Sequence, residues 1–147
     1  MTHSHQIIPF KAAHILGLDW SEADLLKLAG DASLYQYERN LGWSGFCNDR
    51  FVAAGGIVKI YKGLGEGWAI AGPLVQSHRL WFHSTFRRCI VAFEEALELH
   101  RHQIMVRGSF EVSQKWVQSL GFEYECTHKK YGIKGEDMQV YVRFPGW

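Results

Sequence analysis

The chain has 147 residues, 47% of them hydrophobic and 21% charged, a composition that excludes an intrinsically disordered polymer and suits one globular domain over residues 1–147. Sixteen Lys/Arg stand against fifteen Asp/Glu for a formal net charge of +1, so no broad basic field is expected and nucleic acid is not an expected partner. Cys47, Cys89 and Cys126 are widely spaced and form no CxxC, which points to reduced thiols in a cytoplasmic chain rather than to a disulfide framework. The opening Met-Thr-His-Ser-His-Gln lacks the apolar core of a signal peptide. No uncharged apolar run approaches the ~20 residues of a membrane span.

In chain order, His5 to Phe10 reads as a short opening strand, and Ala12 to Leu18 as a helical stretch. Ser21-Glu-Ala-Asp24 fits a capping box for a helix that carries Leu25, Leu26 and Leu28 and stops at Gly30. Tyr35 to Cys47 is aromatic-rich and is expected to contain a strand at Gly42 to Cys47. Asn48-Asp49-Arg50 supplies turn chemistry before the run Phe51 to Tyr61, and Gly63-Leu64-Gly65 turns the chain into Glu66–Ala71. These three segments read as an antiparallel meander. Leu80 to His100 is the longest helical pattern, with Phe82, Phe86, Cys89/Ile90, Phe93 and Leu97 at three- and four-residue steps, which places Cys89 on the apolar face as a core residue. Gln103 to Arg107 reads as a strand, Ser109 to Gly121 as a short helix, and Phe122–Tyr131 and Met138–Phe144 as two closing strands. The order predicts an α/β domain: a mixed sheet with helices on both faces.

Trp116-Val-Gln-Ser-Leu-Gly121-Phe122-Glu-Tyr-Glu, Tyr131-Gly-Ile-Lys-Gly-Glu-Asp137-Met-Gln-Val-Tyr141, Ala53-Ala-Gly-Gly-Ile and Gly65-Glu-Gly-Trp-Ala-Ile together resemble the GNAT superfamily of acyl-CoA-dependent N-acetyltransferases. More narrowly, the chain is similar to a short phage-encoded branch that includes the internal virion protein A family of short-tailed phages. The resemblance implies a single GNAT-like domain with a split, mostly antiparallel central sheet flanked by helices. It implies acetyl-CoA as co-substrate, received along the main chain of Trp68, Ala69, Ile70 and Ala71, with phosphates at the following helix start. Two positions depart from the family pattern. The stretch from Pro73 to Arg88 has no glycine, and Val117 stands four residues before Gly121, where many members place a tyrosine.

The charge pattern around the long helix carries further information. No Asp or Glu lies between Pro73 and Ala92, whereas His78, Arg79, His83, Arg87 and Arg88 do. That order opposes the macrodipole and suggests that the helix start meets an anion, either the cofactor's phosphates or an acidic partner protein or nucleic-acid phosphate, with plain solvated cations as the alternative; His78, Arg79, His83 and Arg87 are the candidate ligands. Glu66 is the candidate general base, with solvated turn carboxylate as the plainer reading. Tyr124 and Tyr131 are candidate acids for the leaving thiolate, and Trp43, Trp68 and Trp81 either line an acceptor pocket or pack the core. Gly63-x-Gly65-x-Gly67 reads as turn punctuation. His100-Arg101-His102 reads as cations at a helix C-terminus. Neither His3-x-His5 nor His100-x-His102 has the third ligand or the spacing of a zinc site, so no metal is expected. Two functions remain open. One is an N-acetyltransferase acting on an amine of unknown class. The other is a non-catalytic GNAT-fold phage protein, cytoplasmic or virion-associated, serving in virion assembly or binding a host partner.

Overall fold

Asn48 and Asp49 hold φ of 50° and 66°, the left-handed pair that a two-residue hairpin requires and that short polar side chains tolerate. They join β2 (Leu41–Cys47) to β3 (Arg50–Tyr61). The computed structural model describes residues 4–16, 31–109 and 111–146. Around the hairpin these residues form β1 (His5–Pro9), α1 (Ala13–Leu16), α2 (Asp31–Glu38), β4 (Leu64–Ala71), a 3-10 turn (Val75–His78), α3 (Arg79–Ala96), β5 (Arg101–Arg107), α4 (Glu111–Ser119), β6 (Glu123–His128) and β7 (Met138–Arg143). The strand order is β1-β2-β3-β4-β5-β7-β6. The pairings β1–β2, β2–β3, β5–β7 and β6–β7 are antiparallel, and β4–β5 is parallel. The mixed, mostly antiparallel sheet matches the expected fold class. The capping box at Ser21 and its stop at Gly30 lie outside the described residues.

Two compact units divide these elements. The described residues up to Val58, with Ala69–Phe93, form the first; Lys59–Trp68, with Glu94 onward, form the second. In the first, β3 is buried without interruption from Phe51 to Val58. The apolar stripe of α3 packs on the β2–β3 face that carries Trp43 and the neighbouring glycines. A Cβ on Gly55 would stand 2.5 Å from the Phe86 ring, and one on Gly45 would stand 2.5 Å from Trp81. Phe86 meets Trp43 edge to face at 5.6 Å. On the opposite face of β2, the buried Ser44 hydroxyl and His14 Nδ1 of α1 lie 2.7 Å apart.

In the second unit a buried carboxylate organises the packing. Glu94 and His102 are only 3% and 1% exposed, and His102 Nδ1 meets Glu94 Oε2 at 2.7 Å. Arg143 donates through Nε to the same oxygen at 2.9 Å and through a terminal nitrogen to Oε1 at 3.1 Å. Its other terminal nitrogen donates to the Leu120 carbonyl at 2.6 Å. Burial alone would raise the Glu94 pKa, but the hydrogen bonds and charges of His102 and Arg143 outweigh it and hold the carboxyl below its ordinary value.

Several boundaries differ from the sequence expectation. The long helix stops at Ala96, four residues before His100. Leu99 N–H bonds to the Glu94 carbonyl and Glu98 N–H to the Glu95 carbonyl, a Schellman cap with Glu98 at φ 51°. The cap lacks the usual glycine, so nothing in the local sequence announces it. The equivalent cap on α4 does have one: Phe122 N–H bonds to Val117 O and Gly121 N–H to Gln118 O, with Gly121 at φ 95°. Leu-Gly-Phe is therefore a helix stop whose flanking Leu120 and Phe122 are buried. α2 was not expected; among its described side chains only Leu34 is buried, so it offers little apolar periodicity to read. β5 begins at Arg101, two residues early. β6 ends at His128, where Lys130 turns the chain at φ 54°, so Tyr131 lies beyond the strand.

Two stability experiments follow from these caps and this network. Glu98→Gly should stabilise the protein by about 1 kcal/mol and Gly121→Ala should destabilise it by at least as much, because a side chain in the left-handed region costs roughly 1–2 kcal/mol. An added Cβ at Gly121 would also stand 2.6 Å from the Arg143 guanidinium. Urea denaturation midpoints check both. Glu94→Ala should cost about 3–5 kcal/mol, because it leaves buried partners uncompensated. A carboxyl held below its unfolded value adds stability above that value and loses it as pH falls through the folded one. Wild-type stability should therefore decline as the pH drops below 4.5, the ordinary Glu value, and this slope should flatten in Glu94→Ala.

Candidate functional site

Along β4, glycines and larger side chains alternate: Leu64, Glu66 and Trp68 take one face, Gly65 and Gly67 the other. The reason for the small face lies on the neighbouring strand. A Cβ on Gly67 would stand 2.5 Å from His102 Nε2, and one on Gly63 would overlap the His100 ring. Gly63, at φ 92°, is turn punctuation as expected, but Gly65 and Gly67 lie inside the strand. His102 is not a solvated helix-terminal cation: it is buried in β5 against Glu94. Arg101 lies in the same strand and bonds both oxygens of Glu125, one of them at 2.8 Å.

The other face of β5 holds Glu66 in place. Arg101 Nε donates to Gln103 Oε1 at 3.1 Å, which fixes the orientation of that amide. Glu66 and Gln103 are direct register partners, and the Gln103 amide donates to the Glu66 carboxylate. Glu66 is half-buried. Burial pushes its pKa above the ordinary glutamate value, and the Gln103 hydrogen bond opposes this without cancelling it. The carboxylate is thus oriented, partly dry and shifted toward the range of a general base. Gln103 was not singled out in the sequence, where a polar residue in an alternating strand carries no special signal.

The β4–β5 ladder ends at Gly67 opposite Ile104, and β4 continues to Ala71. Along this continuation Trp68 and Ile70 are buried whereas Ala69 and Ala71 are exposed, so the open side carries only methyl groups beside the main chain. Gly72 N–H then bonds to the Val52 carbonyl at 2.8 Å, so close that a Cβ on Gly72 would press on the same oxygen. On α3, Arg79, His83 and Arg87 follow at four-residue steps, the arginines exposed and His83 half-buried. The ring of His78 is directed to His5, with Nδ1 and Nε2 3.1 Å apart.

The remaining candidates are dispersed. Tyr124 is 53% exposed on β6, its hydroxyl 2.6 Å from Thr127 Oγ1. Tyr131 is 59% exposed and lies edge-on to His128. Tyr141, which no local sequence pattern marks, is buried on β7 opposite Ile104. Its hydroxyl donates to Gln139 Oε1, and burial raises its pKa. Trp43 and Trp68 are core residues, whereas Trp81 stacks on the His5 ring. Cys89 is half-buried, and burial raises its thiol pKa.

No protein-family model matches the chain, and no curated protein is similar to it in sequence. Solved structures do match in fold. A GNAT-family acetyltransferase from Streptococcus pneumoniae superposes with a TM-score of 0.73 at 15% identity, over 97% of this chain and 100% of that one. The Salmonella typhimurium protein yncA, assigned as an acetyltransferase and solved with its cofactor acetyl-CoA, gives 0.73 at 14% identity, over 97% and 94% of the two chains. A spermidine N-acetyltransferase mutant from Vibrio cholerae gives 0.69 at 12% identity, over 95% and 94%. At these identities the likeness establishes the fold.

The Gln103 contact generates a direct test of how Glu66 is tuned. Gln103→Leu removes the hydrogen bond that lowers the Glu66 pKa and leaves its burial in place. The Glu66 pKa should then rise further, read as an upward-shifted carboxyl titration by NMR. An unchanged titration midpoint would show that the amide does not act on this carboxylate.

Proposed function

Because the chain has the fold of the GNAT acetyltransferases, we propose that it is an N-acetyltransferase that takes acetyl-CoA as co-substrate and acetylates an amine. The observation that carries this reading is Glu66: a half-buried carboxylate with a raised pKa, anchored by Gln103 at the point where β4 leaves its ladder with β5. In this reading the main chain of 68–71 receives the pantetheine arm, since Ala69 and Ala71 leave room for close approach. Arg79, His83 and Arg87, with the amides at the start of α3, meet the phosphates. Glu66 accepts the amine proton as the nitrogen attacks the thioester carbon. The carbon–sulfur bond breaks, and the departing thiolate takes a proton from Tyr124, Tyr131 or solvent. Activity should rise with pH through the raised Glu66 value, because the ionised form is the base.

A second reading is a non-catalytic GNAT-fold protein of phage type, with a virion or host protein as partner. It draws support from Val117, which is 1% exposed and has no proton to donate at the family's acid position. The glycine-free stretch from Pro73 to Arg88 supports it as well.

Calorimetric titration with acetyl-CoA separates the two readings. The enzyme reading expects binding tighter than millimolar, where the free energy is about −4 kcal/mol, and turnover with an amine probe such as spermidine or a peptide N-terminus. Glu66→Gln should then lower turnover by roughly 10²–10⁴-fold with acetyl-CoA affinity retained. Arg87→Glu should weaken binding in a manner that fades as salt rises. No binding at millimolar acetyl-CoA would end the enzyme reading in favour of the second.

A further inference from the structure

Three metal-ligating side chains from separate parts of the first unit meet at its β1 edge. His5 opens β1, Cys47 closes β2 as the direct register partner of His5, and His78 ends the 3-10 turn ahead of α3. One imidazole nitrogen from each histidine and the Cys47 sulfur all lie within 4.8 Å of one another. His5 Nε2 and His78 Nδ1 are 3.1 Å apart. Cys47 is 4% exposed. The His5 ring is held in place: Trp81 stacks on it with centroids 4.3 Å apart and planes 13° from parallel, and His78 lies edge-on to it at 5.1 Å.

We propose that His5, Cys47 and His78 form a site for a borderline-soft divalent transition-metal ion of the Zn²⁺ class. The donor set decides the ion class. Two imidazoles and a thiolate suit Zn²⁺ and its neighbours, whereas Ca²⁺ and Mg²⁺ take oxygen ligands. With metal–nitrogen bonds of about 2.0–2.1 Å and a metal–sulfur bond of about 2.3 Å, tetrahedral donors stand roughly 3.3–3.6 Å apart. The 3.1 Å nitrogen pair and the 4.8 Å outer limit bracket that spacing, so small side-chain rotations close the site. On binding, the thiol gives up its proton and the two facing nitrogens present lone pairs to the ion. Three protein ligands leave a fourth position for water. The bound ion ties the turn before α3 to the β1–β2 pair and holds the segment that has no glycine between Pro73 and Arg88. The site does not depend on acetyl transfer.

Titration of the reduced, metal-free protein with Co²⁺ tests the site. One equivalent should produce the visible bands of a tetrahedral centre and a thiolate-to-cobalt charge-transfer band, and Zn²⁺ should displace both. Cys47→Ser should abolish the charge-transfer band, and Cys89→Ser and Cys126→Ser should keep it. His5→Ala and His78→Ala should each weaken Co²⁺ binding by more than about tenfold, a loss that outer-shell changes alone already reach. Absence of the charge-transfer band in the wild type overturns the proposal. So does its survival in Cys47→Ser, or its loss in either of the other cysteine variants. Should Cys47→Ser fail to fold, the two histidine variants decide: unchanged cobalt affinity in both refutes the site.

Discussion

The second unit is arranged around one buried negative charge. Glu94 sits at the last turn of α3, where the macrodipole disfavours an acid, and it is almost wholly removed from water. An unpaired carboxylate there would be costly. His102 and Arg143 together supply three hydrogen bonds, and Arg143 adds a fourth to the Leu120 carbonyl. The network thereby connects the end of α3, β5, β7 and the cap of α4. Two glycines follow from it. Gly67 leaves room for the His102 ring, and Gly121 leaves room for the Arg143 guanidinium while closing α4 in a left-handed conformation.

The two faces of β5 do different work because a strand sends successive side chains to opposite sides. His102, Ile104 and Val106 are buried on one face. Arg101 and Gln103 lie on the other and lead from Glu125 to Glu66. The first face packs the interior, and the second orients Glu66 through the Gln103 amide. Both settings are made by the same strand.

The basic start of α3 and its acidic end, which look mismatched to the helix dipole in the sequence, separate into distinct cases. Glu94 is compensated locally by Arg143 and His102. Glu98 lies outside the helix, as the left-handed residue of its cap. His78 is engaged with His5 rather than directed along the helix. Arg79, Arg87 and Arg88 remain exposed cations.

Local energetics determined what was readable directly. The three- and four-residue spacing of Phe82, Phe86 and Ile90 made α3 legible, Asn48-Asp49 marked the hairpin, and Leu120-Gly121-Phe122 marked a helix stop, because periodicity and positive φ are properties of neighbouring residues. Glu66 and the 68–71 main chain were singled out by their place in a strand and by resemblance to a family. Tertiary structure decided the rest. Glu98 takes a glycine's position in its cap, and nothing adjacent signals it. His102 is a buried partner of Glu94 rather than a surface cation, Gln103 tunes Glu66 from the next strand, and Cys47 and His78 come to His5 from 42 and 73 positions away. Each of these depends on side chains brought together by strand pairing and helix packing, and the backbone preferences of a short segment carry no record of which distant residue will face it.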